Sequence, residues 1–187
     1  CTYSNDEASG NSGATNTLKN VTLNYAVSLD GTVESVAEKG ASNDSVATAP
    51  IIRVTNVMSS SSTSEENFYI LDNRYLFAGI SYYVQEKQHS FTLVNYPNEE
   101  VEDGVIKFYL RHGGTPEKDG VTLISANVAG TYPYLYYKSF DLANYLPTLP
   151  GKEVKIIVEV DENTVNNKLD DERTKKREYS LTYKVEE

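Results

Sequence analysis

Few residues in this 187-residue chain could carry acid–base, nucleophilic or metal chemistry. His89 and His112 are its two histidines and Cys1 its single cysteine. A nucleophilic triad needs a histidine between a hydroxyl or thiol and an acid, and no Gly-x-Ser-x-Gly turn is present to raise a serine. His112, in Arg111-His112-Gly113-Gly114, stands where a strand meets a loop and reads as a packing residue. Two histidines far apart in sequence and one cysteine fall short of a zinc ligand set. Calcium takes oxygen ligands, so Asp161-Glu162-Asn163 and Asp170-Asp171-Glu172 could converge within one connection. They lack the EF-hand pattern and read as solvated charge. No carboxylate pair is singled out for glycoside hydrolysis, and no Gly-rich phosphate loop occurs. The expectation is a protein that is not an enzyme and holds no metal or cofactor.

Aromatic residues are the other candidates, with 15 Tyr, 5 Phe and no Trp. Tyr132, Tyr134, Tyr136 and Tyr137 form one cluster and Tyr82-Tyr83 a second. Either could be a platform on which a ligand such as a sugar stacks. On a strand, tyrosine also pairs across the sheet with its ring half buried. The net charge of −10 argues against a nucleic-acid partner, because phosphate binding needs a basic face. It argues equally against electrostatic docking on anionic lipid. No apolar run approaches the ~20 residues of a membrane-spanning helix.

A membrane connection is expected from Cys1 instead. The chain begins at Cys without an initiating Met, and residues 2–17 are rich in Ser, Asn, Gly and Thr. Such a composition buries too little apolar area to order itself and reads as a flexible tether. A cysteine followed by a polar tether resembles the mature start of a bacterial lipoprotein, whose thiol carries a diacylglycerol. Each buried acyl methylene contributes roughly 0.8 kcal/mol, so two or three chains anchor a protein stably. Lipidation of Cys1, and an outer-membrane place in the cell envelope, are the expectations.

The elements that must position these residues are strands. Alternation runs through Val21, Leu23, Tyr25, Val27 and Leu29, with Asp30-Gly31 as a hairpin-type turn. A polar loop is expected from Glu34 to Thr48 and a mobile Ser-rich loop at 59–64. Further strands are expected near 50–57, 68–71, 75–84, 91–94, 105–110, 121–128, 134–142, 154–160 and 179–185, with turns at Asp72-Asn73 and Tyr96-Pro97-Asn98. Asp161 to Arg177 reads as an exposed connection. Short strands about ten residues apart predict an all-β fold, an antiparallel β-sandwich of immunoglobulin-like type. Residues 1–17 are the lipidated tether and 85–187 the C-terminal sandwich. Residues 18–84 form either a smaller β module or the first strands of that sandwich.

Three stretches of the second half resemble the C-terminal β-sandwich of NigD-like lipoproteins of Bacteroidetes. These are His89-Ser-Phe-Thr-Leu-Val-Asn-Tyr-Pro97, Ile106-Lys-Phe-Tyr-Leu-Arg-His112, and Ser139-Phe-Asp-Leu142 with Lys155-Ile-Ile-Val158. The N-terminal half does not match the small barrel that family carries there. The resemblance implies an outer-membrane or surface lipoprotein. It gives two short signals a context: Asp6-Glu7 resembles the acidic stretch behind the cysteine of surface-exposed lipoproteins, and Asp44-Ser45-Val46 resembles that phylum's O-glycosylation motif, with Ser45 as acceptor. The leading expectation is a non-catalytic envelope lipoprotein that binds or assembles with a protein or glycan partner. Alternatives are a carbohydrate-binding lipoprotein of a glycan-uptake system and an anchor or subunit of a surface filament.

Overall fold

The computed structural model describes residues 31–55, 67–83, 89–113 and 134–185. Cys1, the tether, Tyr132 and the strands expected at 21–29 and 121–128 lie outside these residues, as does the Ser-rich run. Among the described residues there are nine strands and no helix: β1 (Thr32–Ser35), β2 (Arg53–Thr55), β3 (Phe68–Leu71), β4 (Tyr75–Tyr82), β5 (Ser90–Asn95), β6 (Val105–Gly113), β7 (Tyr134–Asp141), β8 (Glu153–Glu162) and β9 (Lys175–Lys184).

They build a two-layer all-β sandwich. One sheet has the order β1-β5-β6-β8-β9. The other is centred on β4, with β7 along one side and β2 and β3 along the other. Strands β3 and β2 pair with successive halves of β4, Tyr75 to Ala78 and Gly79 to Ser81, so they lie end to end. Flanked on both sides, β4 is buried throughout Leu76–Tyr82, as suits a run with almost no polar side chain.

The expected antiparallel pairing holds throughout the β4 sheet but only in part of the other. There β1 runs parallel to β5 and β6 parallel to β8, so the larger sheet is mixed. The cause is alternation between layers. In sequence, β7 of the opposite sheet stands between β6 and β8. Parallel strands need a crossover connection, and here a strand of the facing layer lies within it.

Alternation fixes which side chains face inward. Ile106, Phe108 and Leu110 of β6, with Val154, Ile156, Val158 and Val160 of β8, meet Leu76, Ala78, Ile80 and Phe140 in one core. The β3–β4 turn is closed by Asp72 and Asn73, at φ 53° and 50°. Both central residues of a type I′ hairpin require that backbone, which Asx residues tolerate. After β7, Leu146 N–H donates to the Leu142 carbonyl at 3.1 Å, a single helical turn.

The chain also passes between layers at Gly31. This residue is no hairpin turn. It bridges Phe140 in parallel, and its N–H donates to the Ser139 carbonyl at 3.2 Å. A Cβ here would stand 2.7 Å from that carbonyl oxygen and collide with the Phe140 ring, so only glycine fits. The next residue opens β1 on the other sheet. Glu34 and Ser35, expected in a loop, are its second half. A return crossing runs through 48–55: the Thr48 and Ala49 amides donate to the His112 carbonyl, and Ile52 to Ser81 across the sandwich. Strands from both halves of the sequence thus share both sheets.

Candidate functional site

The two histidines, distant in sequence, are brought together. The β5–β6 register sets Phe91 opposite His112 and Ser90 opposite Gly113, which carries His89 to the end of β6. His89 Nδ1 lies 2.8 Å from His112 Nε2. His112 Nδ1 lies 3.1 Å from the Pro50 carbonyl oxygen. A carbonyl only accepts, so Nδ1 of His112 carries the proton and Nε2 accepts from His89. The His112 ring is 2% exposed and stacks on Phe91, with centroids 4.7 Å apart and planes 4° apart. Tyr82 packs edge-on at 5.2 Å. Burial pushes the His112 imidazole down to about 4, against a smaller opposing effect of the Pro50 hydrogen bond. The single ring lone pair of His112 is committed to His89. The long β5–β6 connection leaves the hairpin register open, so no local pattern of residues announces this meeting.

The tyrosines of β7 continue this cluster outward. The Tyr136 ring lies 5.3 Å from that of Tyr82 on the inner face, whereas Tyr137 lies 5.9 Å from Phe77. Adjacent residues of a strand point to opposite faces, so Tyr136 and Tyr137 cannot share one flat stacking surface. Tyr134 belongs to the backbone of β7 opposite Tyr82. Leu135, Tyr136 and Tyr137 are 44%, 41% and 42% exposed, a consecutive apolar row.

A polar network occupies the outer face of the larger sheet, under the loop after β1. Lys39 Nζ donates to the Tyr109 hydroxyl at 2.7 Å and to Glu99 at 3.0 Å. It also stands 4.1 Å over the Tyr109 ring. Burial by itself would raise the Glu99 carboxyl; hydrogen bonds from Tyr109 and Lys39 outweigh it and hold the group below its ordinary value. Arg111 donates to the Tyr96 hydroxyl at 3.0 Å, which donates to Asp44 at 2.8 Å. Beside these lies a shallow hollow of about 300 Å³ lined by Lys39, Tyr96, Asn98 and Glu99. Ser45 follows Asp44 in this loop and is half buried.

The acidic runs near the β8–β9 connection do not converge on a shared cation site. Asp161 is bound by Lys176, and Glu162 by Arg177 and the Tyr179 hydroxyl. Asp171 takes a two-pronged contact from Arg173. Among the described residues no three His, Cys, Asp or Glu side chains group as metal ligands would. The connection is also shorter and less exposed than expected. Strands β8 and β9 extend into it, and Asn163 is 1% exposed. Asn163 accepts from the Val165 and Asn166 amides and donates to Asn166 and Thr174.

No family model matches the chain, and no curated protein matches it. Solved structures do. A candidate lipoprotein of Bacteroides fragilis aligns with a TM-score of 0.65 at 23% identity, over 85% of this chain and 73% of that one. A NigD-like immunity protein of Bacteroides caccae aligns with a TM-score of 0.50 at 18% identity, over 93% and 72%. The chain has the fold of these Bacteroides proteins. The NigD-like resemblance carried by β5, β6, β7 and β8 is therefore met at the level of fold.

Proposed function

We propose that this chain is a non-catalytic lipoprotein of the bacterial cell envelope that works by binding or assembling with a protein partner. The observation that carries the reading is the exposure of Leu135 and Tyr137, two apolar side chains on the same outward face of β7. Neighbouring exposed apolar side chains on one face of a strand are the kind of surface a partner covers. The commitment of both histidines to each other supports the non-catalytic part. Cys1 followed by the polar composition of residues 2–17 supports a lipid anchor, as does the description of the B. fragilis neighbour as a candidate lipoprotein. Outer-membrane placement with the domain at the cell surface, and sugar chains on Ser45, follow from the same Bacteroidetes reading. A stacked-sugar site gains less support, since Tyr136 and Tyr137 face opposite ways.

The test is a photo-crosslinking amino acid placed at Leu135 or Tyr137, with Glu102 as control, in cells that make the protein. A discrete adduct from the two β7 positions and none from Glu102 is expected. Identical patterns at all three positions would overturn the reading. In parallel, an alkyne fatty acid should label the protein, and Cys1→Ser should abolish the label.

A further inference from the structure

Two charged side chains on the outer face of the larger sheet each leave one buried polar atom unmatched. Arg111, on β6, donates from Nη2 to the Tyr96 hydroxyl at 3.0 Å, and that hydroxyl donates to Asp44 Oδ2 at 2.8 Å. Asp44 Oδ2 also accepts from the Gly40 amide at 3.0 Å. The atoms beside these, Arg111 Nε and Asp44 Oδ1, are buried and meet no hydrogen-bond partner among the described residues. Glu34 Oε2 is a third such atom. Glu34 lies opposite Val94, and Val94 opposite Tyr109, so it belongs to the face on which Tyr96 and Tyr109 cluster. A buried donor or acceptor without a partner costs its full desolvation, and more when it is charged. Native proteins match such atoms with protein groups or with ordered water.

The unmatched atoms are the second prongs of two forks. In a guanidinium, Nε–H and one Nη2 N–H point the same way and make parallel hydrogen bonds, and the two oxygens of a carboxylate have a matching spacing. The Tyr96 hydroxyl joins one prong of each fork, which leaves Nε and Oδ1 in need of one more oxygen between them. We infer that an internal water is bound beside the Tyr96 hydroxyl, accepting from Arg111 Nε–H and donating to Asp44 Oδ1, with its second hydrogen on Glu34 Oε2. Three hydrogen bonds are the usual complement of a buried water. An ammonium or metal cation could not accept from the guanidinium N–H, and chloride could not donate to carboxylates; water does both. Asp44 is then held to β5 and β6 by one hydroxyl and one exchangeable molecule. Ser45, the next residue, is positioned by the same joint.

The test is a crystal structure of the full chain with Cys1→Ser, at a resolution that shows ordered water. An isolated oxygen peak within hydrogen-bond distance of both Arg111 Nε and Asp44 Oδ1 is expected. Direct contact between those two atoms, a protein group between them, or a peak with the anomalous signal of chloride would overturn the inference. Asp44→Asn keeps an oxygen for the Tyr96 hydroxyl and offers the water an N–H, so the peak should persist. Asp44→Leu removes the fork, and the peak should vanish. In solution, oxygen-17 relaxation dispersion should show one long-lived water fewer in Asp44→Leu than in Asp44→Asn; equal numbers overturn the assignment. Should Asp44→Leu fail to fold, the peaks in the parent chain and in Asp44→Asn decide by themselves.

Discussion

Lowering the pH from 7.5 to 4.5 should destabilise the domain through His112, before its carboxylates contribute. In the unfolded chain this imidazole protonates near 6.5, whereas the folded protein resists until about 4. Between those values the unfolded state binds more protons, so stability falls as pH falls. The full difference corresponds to about 3 kcal/mol below pH 4, of which about 2.5 kcal/mol is already lost at pH 4.5. Glu99 and Glu159 are held below their ordinary value of 4.5. Their contribution is present above that pH and lost only as pH falls further, so the window from 6.5 to 4.5 belongs to the histidine. Urea unfolding followed by circular dichroism at half-unit pH steps measures the slope. His112→Gln keeps a donor for the Pro50 carbonyl and removes the ionisation, so its curve should be nearly flat in that window. A flat wild-type curve, or an equal slope in His112→Gln, would refute the burial argument.

Gly31→Ala forces the Phe140 ring or the β7 backbone to move and should cost about 1–3 kcal/mol in the same urea assay, the usual penalty of overpacking. Asn163→Ala removes four hydrogen bonds from a buried connection; at about 1 kcal/mol net per bond, a loss of about 2–4 kcal/mol is expected. Residues 85–187 alone should lack a cooperative unfolding transition, because β7 loses β4 and the core loses Leu76, Ile80 and Phe68. A well-dispersed NMR spectrum from that fragment would show instead that it folds by itself.

What was legible in the sequence was local. In β6, β8 and β9 the period of two separated Ile106, Phe108 and Leu110 from Lys107 and Arg111, and Val154 to Val160 from Lys155 and Glu159, because each strand has one face on the core. Asp72-Asn73 announced its turn because few residues accept that backbone. Partner choice was not legible. Nothing in the alternation of β8 says that it lies parallel to β6, since a strand presents the same inner face in either direction. Gly31 looked like a turn because Asp-Gly is a common hairpin pair, and the contact that demands glycine comes from Phe140, far along the chain. The histidine pair was hidden likewise, since only the β5–β6 register aligns His89 with the end of β6.

The layering that makes β6 and β8 parallel also sets the order in which the protein can fold. Among the described strands, only the β3–β4, β5–β6 and β8–β9 pairings join consecutive ones. Every other pairing waits on a long loop closure: Tyr75 must find Asp141, Val105 must find Lys155, and Thr32 must find Thr92. Such non-local topologies fold on the order of milliseconds to seconds. Of the described pairings, those three hairpins need the shortest loop closures and are expected to form before the β4–β7 pairing. Unjoined hairpins with bare apolar faces are the state in which such a chain is open to aggregation or capture by a chaperone.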